Sequence, residues 1–257
     1  MNFVISASTD VGIRKKTNQD SVLVQVADTA MGKIAFGVMC DGMGGFAKGE
    51  LASATLIKGF REWFTYRMVD LIAEGFSEEN LRRDWNGIIT TQNELLHVYS
   101  RNHGIRLGTT VTAILIYNGK YHVMNIGDSR AYQIRENEIN QITKDHTFIQ
   151  REIDAGRMTE EEALHSDQRS VLLQCVGASD DIYPDYFTGV VEPNEVYMLC
   201  CDGFIHVIAK EEFLQYLNPN TIVDRKTGED YEKYLIDLNK YRNETDNISV
   251  AVIKTTE

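Results

Sequence analysis

Apolar residues gather along this chain in short runs that stop at turn-forming residues. Eight runs, "NFVISAS", "DSVLVQV", "KIAFGVMC", "TTVTAILIY", "KYHVMNIG", "RAYQIR", "EVYMLCC" and "NISVAVIK", are rich in β-branched and aromatic side chains and predict strands. Most are separated by too little chain for a helical crossover, so mainly antiparallel sheets are expected. "TTVTAILIYNGKYHVMNIG" predicts a hairpin turning at Asn118-Gly119, and "NIGDSRAYQI" a second one around Gly127-Asp128. Two longer stretches change to the helical period. "FAKGELASATLIKGFREWFTYRMVDLI" places Leu51, Ala54, Thr55, Ile57, Phe60 and Phe64 at helical spacing, and "SEENLRRDWNGIITTQNELLHVYSRN" opens on Ser77 with Asn80, a capping pattern. A third short helix fits "AKEEFLQYL". The stretch from His146 to Gly177 reads as short helices and loops between strands, an inserted flap spanning 147–190. No repeat, low-complexity tract or linker interrupts the pattern. The expectation is one domain over 1–257, of α+β class, with two packed antiparallel β-sheets flanked by helices.

Composition narrows the function. A chain of 257 residues that is 43% hydrophobic can bury a real core, and 25% charged residues with three prolines describe an ordinary folded protein. The net charge of −12 repels phosphate backbones, which argues against nucleic acid as a main partner. The start "MNFVISASTD" has neither a basic segment nor an apolar core, and no window approaches a membrane span, so a soluble cytoplasmic protein is expected. Cys40, Cys175, Cys200 and Cys201 form no CxxC pair and read as core thiols, neither bridges nor zinc ligands.

Two strands run into Asp-Gly: "FGVMCDGMGG" at 36–45 and "YMLCCDGF" at 197–204. Asp-Gly is a common turn. It is also a way to aim a carboxylate from a rigid strand end while leaving the glycine carbonyl uncrowded. Three more aspartates sit at strand boundaries: Asp20 before "SVLVQV", Asp128 after "VMNIG" and Asp246 before the last strand. With Asp41 and Asp202 they make five. Such a set repels itself unless cations bind it, and hard divalent ions such as Mg²⁺ or Mn²⁺ take oxygen ligands. Two or more metal ions are therefore expected.

The ordered motifs "RKKTNQD", "DGMGG", "GTT", "NIGDSRAY", "TKDH", "CDGF" and "TDN" resemble those of the metal-dependent protein phosphatases, the type 2C serine/threonine family, in its bacterial form. The resemblance runs from about Arg14 to the last strand. It implies a sandwich of two sheets between helices, and hydrolysis of phosphoserine and phosphothreonine by a hydroxide held between Mn²⁺ or Mg²⁺ ions that attacks phosphorus directly. It implies that Asp41 bridges two ions with the Gly42 carbonyl on one of them. It places Asp20 on the second ion, Asp202 and Asp246 on the first, and Asp128 with Asp202 at a weaker third site. Arg14 matches a phosphate-binding arginine, whose guanidinium offers paired donors. The implied partners are phosphorylated proteins, including a serine/threonine kinase and its substrates, with the chain a monomer away from membranes and nucleic acid.

One position departs from the pattern: Met43 stands where eukaryotic members often carry a histidine proposed as general acid. His146 reads as structural, following a helix cap at Thr143 or Asp145, and His206 reads as a packing residue. Lys15 and Lys16 read as surface charges, Thr109 and Thr110 as strand residues that could order carboxylates, and Ser129 and Arg130 as shaping the turn at Asp128. The run "TEEE" in the flap is read as bearing on substrate access. A catalytically silent phosphatase-like binding module and a hydrolase of small phosphoesters are the alternative readings. The retained aspartates weigh against the first. A phosphate loop of the Gly-Lys-Ser/Thr kind is absent.

Overall fold

The computed structural model describes residues 1–29, 31–43, 48–164 and 166–257. Gly44 and Gly45 of "DGMGG", and Phe46 and Ala47 at the start of the first predicted helix, lie outside the described residues. The strands are β1 (Asn2–Asp10), β2 (Ser21–Thr29), β3 (Gly32–Cys40), β4 (Val111–Tyr117), β5 (Lys120–Ile126), β6 (Arg130–Arg135), β7 (Glu138–Gln141), β8 (Asp185–Val190), β9 (Val196–Cys200) and β10 (Ile248–Thr256). They form two five-stranded sheets ordered β1-β10-β9-β6-β7 and β2-β3-β4-β5-β8, and every strand pair is antiparallel. In the first sheet the last strand, β10, lies between β1 and β9.

Burial explains why the central strands read as unbroken apolar runs. On β3, Ala35 and Met39 face the other sheet, while Ile34, Phe36, Val38 and Cys40 face helices. Both faces are dry, so period-two alternation of polar and apolar residues disappears. The helical layer on the second sheet comprises α1 (Gly49–Glu62), a π-helical turn (Trp63–Arg67), α2 (Met68–Ala73) and α3 (Glu78–His103). The apolar face of α1 is Ala52, Leu56, Ile57 and Phe60, whereas Ala54 is exposed. The wide π turn lets the neighbours Trp63 and Phe64 both reach the core, where Phe64 stacks on Phe36 at 4.9 Å and Trp63 lies 5.5 Å from it. Ser77 caps α3 as expected, accepting a hydrogen bond from the Asn80 N–H.

Between the sheets in sequence lie α4 (Phe148–Asp154) and α5 (Glu160–Leu164), within the expected flap; its last six residues, however, are strand β8. The first sheet is covered by α6 (Asp202–Ile205), α7 (Lys210–Tyr216) and α8 (Arg225–Tyr241). Sequence reading missed α8. Gly228 interrupts its pattern, and a side chain there would strike Ser6 of β1, so the glycine lets helix and strand close up. The missed strands β7 and β8 are a four-residue strand and a half-exposed one, both at sheet edges. The Asn118-Gly119 hairpin is present, with both residues at positive φ.

The second expected hairpin is not. β5 pairs with β4 and β8, and β6 with β7 and β9, so the Gly127-Asp128 turn carries the chain from one sheet to the other. Both flanking strands are buried on both faces over most of their length, so no alternation in the sequence distinguishes a sheet-crossing corner from a hairpin.

Candidate metal centre

Five carboxylates meet where the two sheets end together. Ser21 pairs with Cys40 in the β2–β3 ladder, which sets Asp20 beside Asp41. Cys200 pairs with Val250, so Asp202, after β9, lies at the same end as Asp246, before β10. Asp128 follows β5 at the sheet-crossing turn. One open cavity of about 600 Å³ is lined by Asp41, Asp128, Asp202 and Asp246, with Lys15 and Met43.

The backbone holds Asp41 firmly. Its N–H donates to Thr110 Oγ1 (3.0 Å), and its carbonyl accepts from the Thr110 N–H (2.9 Å) and Thr109 Oγ1 (2.8 Å). The two threonines thus order the main chain of Asp41, not a carboxylate, and Thr110 is tied in turn to Ser129 at 2.7 Å. The glycine after each aspartate has a reason beyond turn geometry. A Cβ on Gly42 would strike the carbonyls of Gln19 and Gly49, and one on Gly203 the carbonyl of Asn247. The Asp-Gly pairs are places where neighbouring backbones close in on a strand end.

The carboxylates repel one another. Burial, with the charges of Asp20, Asp202, Asp128 and Asp246, pushes Asp41 well above the carboxylate range. Burial together with Asp202 and Asp145 raises Asp128 to about 8. Burial raises Asp20 to about 6 even though Ser249 and Cys201 donate to it, and burial also raises Asp202, against the attraction of His206. Asp20 Oδ2 accepts from Ser249 Oγ at 2.6 Å, while its buried Oδ1 has no partner among the described residues. An orphaned buried carboxylate oxygen in a cluster of carboxylates is what a hard divalent cation would satisfy, so these oxygen donors fit Mg²⁺ or Mn²⁺.

Among the described residues the cationic side chains lining the cavity are Lys15 and Arg169, not Arg14. Lys15 Nζ lies 2.7 Å from Asp246 Oδ1. Burial alone would lower the Lys15 pKa, but Asp246, with Asp41 and Asp202 behind it, raises it. Arg14 is exposed and does not line the cavity. The loop's orientation is set by Asn247, whose side chain accepts from the Gln19 N–H and donates to the carbonyls of Val11 and Thr17. Adjacent residues point opposite ways in such a loop, and no sequence pattern chooses between them.

The histidines also differ from expectation. Thr147 caps α4, accepting from the Gln150 N–H at 3.1 Å; Thr143 instead accepts from Ala131 N–H, and Asp145 pairs with Arg130 at 2.6 Å. His146 Nε2 lies 3.1 Å from Asp185. His206 is no packing residue: it borders the cavity, with Nδ1 3.1 Å from Glu244 and Nε2 3.5 Å from Asp202. Burial pulls its pKa down, but these two acids outweigh burial and raise it. All four cysteines are buried and unbridged, as expected. Among the described residues no helix is long and apolar enough to cross a membrane.

A sequence profile of the family described as "Protein phosphatase 2C" matches residues 13–226. A putative protein phosphatase 2C-type from Streptococcus pyogenes is 29% identical over 97% of this chain and 96% of its own. Among solved structures, the serine/threonine phosphatase Stp1 from Staphylococcus aureus superposes with a TM-score of 0.82 at 26% identity, covering 100% of this chain and 96% of that one. The catalytic domain of the serine/threonine phosphatase PstP, solved in complex with two manganese ions, superposes with a TM-score of 0.78 at 26% identity over 100% of both chains.

Proposed function

The chain belongs to the protein phosphatase 2C family, and from that membership we propose that it hydrolyses phosphoserine and phosphothreonine in proteins, using divalent cations held by its acid cluster. The observation that carries the metal dependence is the state of the cluster itself. Asp20 is buried and Asp41, Asp128 and Asp202 are half-buried; all four are pushed above the ordinary carboxylate range by desolvation and by neighbouring acids, and the buried Asp20 Oδ1 has no donor among the described residues. Cations convert this mutual repulsion into binding. The manganese in the PstP structure supports the same reading.

Asp41, with the Gly42 carbonyl, Asp20, Asp202 and Asp246 are assigned to two Mn²⁺ or Mg²⁺ ions, and Asp128 with Asp202 to a third. When bound, such ions make water nucleophilic near neutral pH and neutralise phosphoryl charge. The protein's own groups do the rest. The Thr109 and Thr110 bonds fix the Asp41 main chain, so its carboxylate is preorganised before substrate arrives. Lys15, not Arg14, is placed to hold a phosphoryl oxygen, exchanging its contact with Asp246 for the substrate anion. Met43 lines the cavity and has no proton to give. Phosphorylated proteins are the expected substrates, and 147–184 is proposed as the flap that borders their approach.

The experiment is phosphate release from a phosphothreonine peptide with Mn²⁺, with Mg²⁺ and with EDTA, beside Asp41→Asn. Release that needs metal and is lost in the variant supports the proposal. Metal binding by calorimetry without release from any of several phosphopeptides overturns it in favour of a silent binding module.

A further inference from the structure

The proposed metal centre contains a group that hard ions do not use. The ligand atoms of Asp41, Cys201 and Asp202 lie within 4.8 Å of one another. Cys201 is fully buried between the end of β9 and Asp202, and its thiol also lies against Asp20. The other cysteines are turned elsewhere or bonded elsewhere. Cys200 Sγ faces the Arg130 carbonyl, and Cys175 sits beside Ser179. Cys40 is on the helix-facing side of β3.

We infer that this centre takes a thiophilic divalent cation, of the zinc and cadmium class, on the Asp41 and Asp202 carboxylates and the Cys201 sulfur. The inference rests on the metal-centre reading of the acid cluster. Sulfur selects the cation: Mg²⁺ and Mn²⁺ prefer oxygen, whereas Zn²⁺ and Cd²⁺ gain from a thiolate, and a Zn–S bond of about 2.3 Å with Zn–O bonds of about 2.0–2.2 Å suits ligand atoms this close. Asp20, only 9% exposed, lies beside the same thiol, and its Oδ1 has no hydrogen-bond partner among the described residues. The Ser249 N–H donates to Cys201 Sγ at 3.1 Å, a bond that supports negative charge on sulfur and holds its direction. The weaker contact of the thiol with the Asn247 carbonyl, at 3.5 Å, is given up on binding. In the binding step the S–H bond breaks, a sulfur–metal bond forms, and the thiol proton leaves to solvent together with any proton held on the two carboxylates. Nothing is oxidised or reduced. A chain with this centre therefore binds hard and soft cations in competition.

The test titrates the metal-free full chain with Cd²⁺ and reads the ultraviolet sulfur-to-cadmium charge-transfer band and the cadmium NMR shift. One equivalent should produce the band and a shift in the sulfur-ligated range. Cys201→Ser should abolish the band and weaken Cd²⁺ binding at least about tenfold, since even groups outside the ligand shell act on that scale. Mn²⁺ binding by calorimetry should be unchanged in that variant, and Cys40→Ser should keep the band. Cd²⁺ binding with no band in the unmodified chain, or a band that survives Cys201→Ser, overturns the inference while leaving the Mn²⁺ reading intact. Absence of both Cd²⁺ and Mn²⁺ binding overturns the metal centre itself.

Discussion

Strand β9 has a carboxylate close to each end, one buried and one half-buried, and the two are treated in opposite ways. Glu195, just before the strand, accepts from Arg135 Nε, Gln133 Nε2, the Tyr197 hydroxyl and the Glu192 N–H. Burial would raise its pKa, yet Arg135, Tyr197 and these donors lower it. Asp202, just after the strand, faces Asp41 and Asp246, and burial raises its pKa. One end supplies enough counter-charge and donors to outweigh burial. At the other, His206, the Asp41 side chain and the Gly203 N–H lower the Asp202 pKa, but burial outweighs them. An acid whose built-in partners outweigh burial is part of the scaffold; one whose partners fall short is a place for a cation.

Breaking either end should give effects of opposite sign. Asp41→Asn should cut metal-dependent phosphate release by about a hundredfold or more, the scale of losing one charge-stabilising group. The same substitution should make the metal-free chain more resistant to urea, because Asn carries neither the proton that the folded state forces on Asp41 nor the charge its neighbours repel. A urea midpoint that falls instead would remove the argument from repulsion. Glu195→Ala should do the reverse: it takes the shared acceptor from Gln133 and Tyr197 while Arg135 keeps Glu138, costs about 1–3 kcal/mol, and leaves phosphate release per folded molecule unchanged. Equal loss in both assays would mean that the two ends are not distinct.

The pH dependence sharpens the contrast. Asp20 at about 6 and Asp128 at about 8 carry protons that a cation must displace. Mn²⁺ binding should therefore strengthen as pH rises from 6 to 8, with proton release seen as a buffer-dependent enthalpy in calorimetry. A binding constant flat across that range would contradict the raised values. The smallest effect concerns Glu232 of α8, an intermediate case. It is buried with only the hydroxyls of Ser6 and Ser8 as partners, at 2.6 and 2.7 Å, and burial raises it to about 7. Its folded value lies above its unfolded one. Its contribution is thus full below the unfolded pKa and lost as pH rises through about 7. Glu232→Gln should flatten that part of the stability profile, by at most about 3 kcal/mol at the alkaline end. Urea curves at pH 5 and 8 read it.

Much of this contrast was legible before any coordinates. Asp20, Asp41, Asp128, Asp202 and Asp246 sit at strand boundaries that apolar runs make plain, and antiparallel pairing puts such boundaries at common ends. Less could be read where orientation, not position, carries the meaning. Arg14 and Lys15 are neighbours of like charge, and only the Asn247 clamp on their loop decides which enters the cavity. Cys201 is one apolar-looking residue in a run of them, and its role depends on what faces the strand end. The Gly127-Asp128 corner looks like a hairpin because both its strands are dry on both sides. Helix α8 was hidden by Gly228, although Asp224 and Thr227 form the cap that marks its start.

The place of β10 has a consequence for how the molecule comes into being. Asp246 lies just before β10, and that strand threads between β1 and β9. During synthesis, when chains fold as they emerge, four of the five aspartates are already outside the ribosome while the slot between β1 and β9 still stands open. The fifth arrives only as β10 closes it. The pairing of most distant sequence separation, from Asn2 with Thr256 to Asp10 with Ile248, completes the sheet and the cluster together. Such non-local closure is slow. A nascent chain would thus carry no complete acid cluster until β10 has emerged and paired, and catalytic competence would follow that step.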